Sequence, residues 1–465
     1  MIGICAVLVA GAGSGIVERE PASAAPTAAR DPDALARAVS PQRLRAHLVA
    51  LAAIARRSGG TREVGTAGYQ RSVAYVAGQL RQAGYRPRLH RFSFNLFRET
   101  RPPRFDRLAP GVRRYRRGRD FVTMRYSGGG AVSAQITPVE PYSSSSGCSR
   151  SAFDGFPRGT VALVRRGTCF MFLKARNAKA AGASAVLIAN EGTPGRTAPI
   201  LGTLVRPGIG IPVLGISSAL GSELARAAES GKVRVRIAVS VVSRPARTVN
   251  VVADLAGRRS GVVLLGAHLD SVANGPGIND NGSGTTLALE IARQARRLAI
   301  RPRHGLRFAF WGAEELGLAG SEAYVRSLSS RELDQLLAVL NFDMVGSPNF
   351  GRFVYDGDNA PSGSPRIEQL FRAYFAAHRQ PVEEIALEGS SDHAPFARAG
   401  VAVGGLFTGA DAVKPAALAH RFGGTAGRAF DACYHQPCDT LANVNITVLG
   451  QMADAAAVVA MRLAG

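Results

Sequence analysis

The sequence predicts a mixed α/β fold: a largely parallel sheet flanked by helices, with a smaller α/β unit inserted into it. Three observations carry this. From about residue 248 to the end, strand-like apolar runs alternate with helical segments, the pattern of a parallel sheet covered on both faces. Polar residues follow directly on three of those runs, where open α/β sheets place their ligands. From about residue 120 to 238 the character changes to short β runs, frequent glycines and two cysteines, as expected of a small unit with its own core.

Taken in order, residues 2–16 are short, apolar and rich in glycine and alanine, and Ala22-Ser23-Ala24 offers an A-x-A cleavage site, so 1–24 reads as an export signal. The run is too short to span a bilayer stably, and because it lacks a basic leader a start further upstream is expected. Residues 25–30 form a Pro/Ala linker that fits a short propeptide. Apolar residues at helical spacing predict amphipathic helices over 41–57 and 65–83, and alternation predicts a strand over 86–94. The arginine-dense run 98–119 reads as an exposed segment before the next domain. Within the insertion, strands are expected at 160–165, 185–189 and 211–216, with a helix at 172–181. Beyond it, strands are expected at 249–255, 262–267, 306–311, 336–342 and 401–407, and helices at 285–298, 321–327, 364–378 and 448–463. The divisions are therefore 1–24, 25–119, 120–245 for the insertion and 246–465 for the core. No later stretch is expected to span a membrane, and no internal repeat is found.

Hydrophobic residues make up 46% and charged residues 20%, enough apolar content for a sizeable core. The net charge of +23 rests almost wholly on arginine, since lysine occurs only at Lys174, Lys179, Lys232 and Lys414. No nucleic-acid motif accompanies the charge, so it reads as dispersed over a solvated surface and no nucleic-acid partner is expected. Cys5 would leave with the signal. The remaining cysteines are even in number and pair locally, Cys148 with Cys169 and Cys433 with Cys438, as in an oxidising compartment.

Five residues of metal-binding type fall along the core: His268 in GAHLDS, Asp280 in GINDNGSG, Glu315 in AEELGLAGS, Asp343 in NFDM and His435 in CYHQPCD. His268, Glu314–Glu315 and Asp343 follow three separate strands, Asp280 sits in a glycine-rich loop, and His435 lies between Cys433 and Cys438. Alone, each has a plain alternative: a structural histidine, a turn aspartate, solvated helix-start glutamates. Together they supply two divalent ions sharing one carboxylate. The charge of two zinc ions is met by three carboxylates and a bridging hydroxide, which keeps a buried site near neutral.

The string over 388–443, with GSSDHAPFARAGVAVGGLFTGA and GGTAGRAFDACYHQPCDTLAN, resembles the secreted bacterial di-zinc leucine aminopeptidases, and the upstream segments match in the same order. GTVALVRRGTCFMFLKARNAKAAGASAVLIAN resembles the core of the protease-associated domain. The first resemblance implies the zinc-peptidase fold and two Zn2+ per chain. It implies that Asp280 bridges both ions, that His268 and Asp343 hold one, and that Glu315 and His435 hold the other. Glu314 is implied as general base, Tyr434 as the phenol that polarises the oxyanion, and Asp270 as the partner that orients the His268 imidazole. A cis Asp280–Asn281 peptide is implied as well.

The function so implied is a secreted metallo-exopeptidase that removes the first residue of peptides or proteins with a free N-terminus. It would act through a zinc-bridging hydroxide and the Glu314 base, with Asp343 and Glu314 holding the α-amino group. By analogy Met344, Gly389 and Phe407 form the side-chain pocket, which favours Leu, Met or Phe. The chain is expected to act as a monomer. Two positions depart from the pattern. Ser390 stands where close relatives carry a substrate-contacting arginine. Ile446 and Gly450 stand where calcium-binding relatives carry aspartate, so calcium is not expected. A carboxypeptidase of the same fold, a single-zinc glutaminyl cyclase and a non-catalytic receptor are the competing readings. A serine hydrolase is disfavoured, because no G-x-S-x-G elbow is present.

Overall fold

The computed structural model describes Met1 and residues 32–193, 196–231, 233–387 and 389–465. Apart from Met1, the expected signal over 1–24 and the linker over 25–30 lie outside the described residues. The chain enters through three helices, α1 (Pro32–Ala38), α2 (Pro41–Arg56) and α3 (Ala67–Gln82). Ser40 caps α2 by accepting from the Arg43 amide, and Pro41 occupies the first turn, where its missing N–H costs nothing. Thr66 caps α3 in the same way. Leu44, Leu48, Leu51, Val76 and Leu80 point into the main core.

The arginine-dense run is mostly exposed, as its charge suggests, but it is not a free linker: its first half is part of a long strand. That strand is β1 (Arg88–Ala109), which has 22 residues and whose end pairs with β2 (Arg113–Arg114). Its arginines face solvent while Phe92, Leu96 and Phe105 face the cores, the alternation of a sheet wetted on one side. After β3 (Phe121–Thr123), the insertion runs through β4 (Gly130–Pro138), β5 (Val161–Arg165), α4 (Met171–Ala180), β6 (Ala185–Ala189), β7 (Val213–Ile216) and α5 (Ser218–Ser230). β4 to β7 are parallel, and β3 closes the edge antiparallel to β7. Alternate residues serve two cores: Leu163 and Leu187 pack on the α5 side, Val164 and Ile188 on the α4 side. The Cys148–Cys169 disulfide forms as expected.

The return strand, β8 (Arg234–Leu255), also has 22 residues and pairs antiparallel with β1 along its length. It leads into β9 (Val262–His268), α6 (Gly282–Arg297), β10 (Gly305–Trp311), α7 (Ala319–Ser327), α8 (Ser330–Asp334) and β11 (Leu336–Phe342). Then come β12 (Phe353–Tyr355), α9 (Ser364–Ala377), β13 (Glu383–Ile385), α10 (His393–Arg398), β14 (Val403–Phe407), α11 (Ala416–Phe422) and α12 (Ile446–Ala464). The central strands β10, β9, β11 and β14 are parallel, with β8 and β12 antiparallel at their flanks. One 14-stranded sheet therefore passes through both units, because β8 pairs with β10 on one side and with β4 on the other.

Leu265 faces the layer of α2, α6 and α12, while Leu264 faces Trp311, Tyr324 and Phe396 on the opposite side. Against the expectation that no later stretch would qualify, the 19 residues of α12 are long and apolar enough to cross a membrane. Within the fold 67% of its apolar window is buried, and the helix packs on α1, α2, α6 and α9.

Candidate metal centre

Three strand ends deliver the first part of the site. β9 ends on His268, β10 runs through Trp311 into Glu314 and Glu315, and β11 hands over to Asp343. Parallel pairing of β10 with β9 and β9 with β11 sets these ends side by side. Asp280 comes from the loop before α6, where Asn281 caps the helix by accepting from the Gly284 amide at 2.8 Å. The Asn281 amide also donates to the Phe342 carbonyl, which ties the loop to the end of β11. The Asp280–Asn281 peptide is cis, as the resemblance implied. His435 lies in the turn closed by the Cys433–Cys438 disulfide, at φ 57°.

These elements bring all five expected ligands together as two triads: His268, Asp280 and Asp343, and Asp280, Glu315 and His435. Asp280 belongs to both. Its Oδ1 lies 3.1 Å from His268 Nε2 and its Oδ2 lies 3.1 Å from His435 Nε2. His268 Nε2 is 3.3 Å from Asp343 Oδ1, and His435 Nε2 is 3.1 Å from Glu315 Oε2. Glu315 Oε1 is buried with no hydrogen-bond partner, an arrangement seldom left unsatisfied in a native fold. Imidazole and carboxylate donors in two three-residue sets, with an orphaned oxygen among them, fit a pair of divalent ions each keeping an open position.

Electrostatics point the same way. Burial pushes the Glu315 carboxyl up to about 7, with Asp280 adding to the shift. Burial also drives Glu314 well above its ordinary value, and the neighbouring Asp392, Asp343 and Glu315 reinforce it. For His435, burial works against charge, yet its hydrogen bonds to Asp280 and Glu315 raise it to about 10. Burial likewise opposes charge on His268, and Asp343 and Glu314 overcome it. Asp280 is held below its usual value despite burial, because both imidazoles hydrogen-bond to it. The cluster thus keeps extra protons where cations would otherwise sit.

A pH consequence follows for protein stripped of metal by a chelator. Glu315, and likewise Asp392 and Asp439, which burial also raises to about 7, hold protons that the unfolded chain releases in the ordinary carboxylate range. The raised histidines act in the same direction. The folded state then binds more protons than the unfolded state, so stability falls as pH rises toward 7. Asp280 opposes this only in acid, because its depressed value matters below the carboxylate range. The Tm of chelator-treated protein is expected to drop from about pH 5 to about pH 7.5, and a divalent cation should remove the drop. A Tm that rises over this interval would contradict it.

A surrounding set of polar residues, not singled out in the sequence, holds these groups in place. Asp439 accepts from the amides of Asn279 (2.8 Å) and Asp280 (3.0 Å). Asp431 accepts from the Asn279 and Asn443 side chains and from the Cys433 amide, joining the Asp280 loop to the His435 turn. Ser391 donates to Asp343 Oδ2 at 2.7 Å and accepts from Asn341. Asp439 and Ser391 lie inside the strings CYHQPCD and GSSDH, so position in those strings was the available signal.

Asp270 differs from its expected part. Its Oδ1 lies 3.7 Å from His268 Nδ1, beyond hydrogen-bond length, and instead accepts from the Glu314 amide at 3.3 Å. The Asp270 backbone carbonyl is nearer to the imidazole, at 3.3 Å. Asp270 therefore sits between the His268 strand and the Glu314 turn.

The cavity over the triads, about 370 Å3, is lined by Glu314, Met344, Phe407, Tyr355, Ile385 and Tyr434 among others. Tyr434 stacks on His435 with ring centroids 3.8 Å apart. Of the three residues expected to form the side-chain pocket, Met344 and Phe407 line this cavity, while Gly389 lies in an exposed turn beside Ser390, which does line it. Ile385 and Ala386 add apolar surface to the same cavity.

Comparison with known proteins places this geometry. The model of Peptidase family M28 matches residues 250–460, and that of the PA domain matches residues 132–224. An aminopeptidase of Pseudomonas aeruginosa is 41% identical over 420 residues, spanning 87% of this chain and 77% of that protein. The probable lipoprotein aminopeptidase LpqL of Mycobacterium tuberculosis is 40% identical over 445 residues, spanning 91% and 85%. The solved aminopeptidase from Aneurinibacillus sp. strain AM-1 shares the fold, with a TM-score of 0.74 at 24% identity over 93% of this chain and 96% of that one.

Proposed function

This chain belongs to peptidase family M28 and carries an inserted PA domain, and on that premise we propose that it is a zinc aminopeptidase releasing large apolar residues from free peptide N-termini. The observation that carries the reading is Asp280, whose two oxygens address two different histidines, each backed by a second carboxylate. Similar proteins include a zinc aminopeptidase from Bacillus subtilis and leucine aminopeptidases, and the nitrogen and oxygen donors here suit zinc. When bound, the metal pair supplies an acidified water and polarises the scissile carbonyl.

The remaining steps belong to this chain's side chains. Glu314, 11% exposed and 4.0 Å from His268 Nε2, accepts the proton of the attacking water and passes it to the leaving amine. Burial, which raises its pKa, favours the protonated form that this second transfer needs. Tyr434 stays protonated through burial and the nearby carboxylates, so its O–H donates to the developing oxyanion. Asp343 and Glu314 present negative charge to the substrate ammonium, and the Met344 and Phe407 wall accepts one apolar side chain. One chain completes both triads, so the site requires no second copy. Two disulfides favour a location outside the cytoplasm, and a relative named as a lipoprotein agrees with the cell envelope.

The test is hydrolysis of leucyl, glutamyl and N-acetyl-leucyl p-nitroanilides by purified enzyme, before and after chelation. Leucyl cleavage should dominate, vanish on chelation and return with zinc, at two zinc ions per chain. The N-acetyl substrate should resist. Cleavage of the blocked substrate, or release of C-terminal residues from N-blocked peptides, would replace this reading with an endopeptidase or a carboxypeptidase.

A further inference from the structure

We infer that the cleft between the inserted unit and the Glu315–Gly317 turn seats the substrate residues downstream of the scissile bond, and that Arg125 recognises a carboxylate there. This rests on the aminopeptidase reading and extends it to the leaving side of the substrate. The cavity over the triads presents Asp280, Glu314, Asp343 and Asp411, and no lysine or arginine lines it among the described residues. It suits an ammonium and one side chain. A second, larger cleft of about 770 Å3 opens at the same turn. Glu315 and Leu316 form one wall, and Phe97 of β1 with Val122 and Leu201 of the inserted unit form the other. Glu314 lines the first cavity, and Glu315, whose carboxylate turns to the Asp280–His435 triad, borders the second. A peptide bond held between them has the acidic cavity on its acyl side and the larger cleft on its amine side.

Two arginines enter that cleft. Arg117 is ion-paired with Glu99. Arg125 makes no ion pair among the described residues; its guanidinium stacks 4.8 Å from the Tyr126 ring centre and donates to Tyr126 Oη at 3.0 Å. It also lies against Gly317, at φ 92°, where any Cβ would collide with the guanidinium. Glycine at that point permits both the turn and the approach of the cation to the segment bearing Glu315. Glu99 offsets Arg117, and the Glu315 carboxylate is taken up by the Asp280–His435 triad, so Arg125 is the charge this cleft can offer a ligand, placed to meet a carboxylate on a peptide whose ammonium sits in the acidic cavity. A planar guanidinium held on a tyrosine ring is suited to bidentate carboxylate binding.

The test compares kcat/KM of the zinc-loaded enzyme for leucyl p-nitroanilide, Leu-Gly-Gly, its C-terminal amide and amidated Leu-Gly-Glu. In Arg125→Ala the ratio of Leu-Gly-Gly to the arylamide is expected to fall about tenfold, through KM. Leu201→Glu, at a side chain 89% exposed and so free of folding consequences, should lower the same ratio by like-charge repulsion. Loss confined to the free acid makes the C-terminal carboxylate the ligand, whereas loss for amidated Leu-Gly-Glu makes it an acidic side chain. Ratios within about twofold of wild type in both variants, with the wild type cleaving arylamide and tripeptide, overturn the inference alone. A wild type that cleaves neither overturns the aminopeptidase reading itself.

Discussion

Replacing Glu314 with Gln is expected to lower kcat on leucyl p-nitroanilide by about 100- to 10,000-fold, with KM and zinc content near those of the wild type. The change is isosteric and removes only the capacity to take up a proton. Glu314 stands outside both triads, so neither ion should be lost with it. Its backbone amide, which donates to Asp270, is untouched by the substitution. A loss of zinc together with rate would make Glu314 a ligand rather than a base, and unchanged kcat would end the proton-transfer role. Kinetics paired with metal analysis separates these cases.

Asp280→Ala should have the other large effect, and on a different quantity. Because Asp280 is common to the two triads, its removal takes a donor from each and leaves His268 and His435 facing an apolar methyl. Zinc content is expected to fall from two ions to less than one, and activity by more than the roughly 100-fold that follows loss of residues one step further from a metal. His435→Ala is the control: it touches one triad, so one ion should remain. Equal zinc loss in both variants would mean that the two sites are not linked through Asp280.

The main sheet was legible because its strands carry mostly apolar runs, and on β9, β10 and β11 a polar site residue stands at or just beyond the end. The expected strand over 336–342 coincides with β11, and Asp343 follows it as read. Periodicity served less well where a strand is wetted on one face. β1 alternates arginine with apolar residues and contains Pro102 and Pro103, so its charge hid its pairing, which comes from β8, more than a hundred residues away. Strand β4, with Ser133 and Gln135 facing outward, escaped notice for the same reason. In the site, residue type and order sufficed to single out the five residues that the fold gathers into two triads, since each sits in its own segment. Asp431 and Asp439 show no pattern of their own; they act by joining a loop and a turn that only the folded chain brings together. Gly389 falls in an exposed turn outside the cavity lining, and turn residues leave no periodicity from which such a position could be read.

The paired β1 and β8 strands also have a mechanical meaning. A domain strung on a flexible tether swings freely, and any cleft at its edge gapes at no cost. Here the inserted unit is a cantilever, clamped at its root by the ladder from Arg88–Val252 to Ala109–Arg234. Such a beam yields where its ladder is interrupted. The breaks between Glu99 and Arg104 enclose Pro102 and Pro103, which have no N–H to give. A further break lies between Arg107 and Ala109, so bending of the inserted unit against the core is expected at these interruptions rather than along the continuous ladder from Arg88 to Glu99.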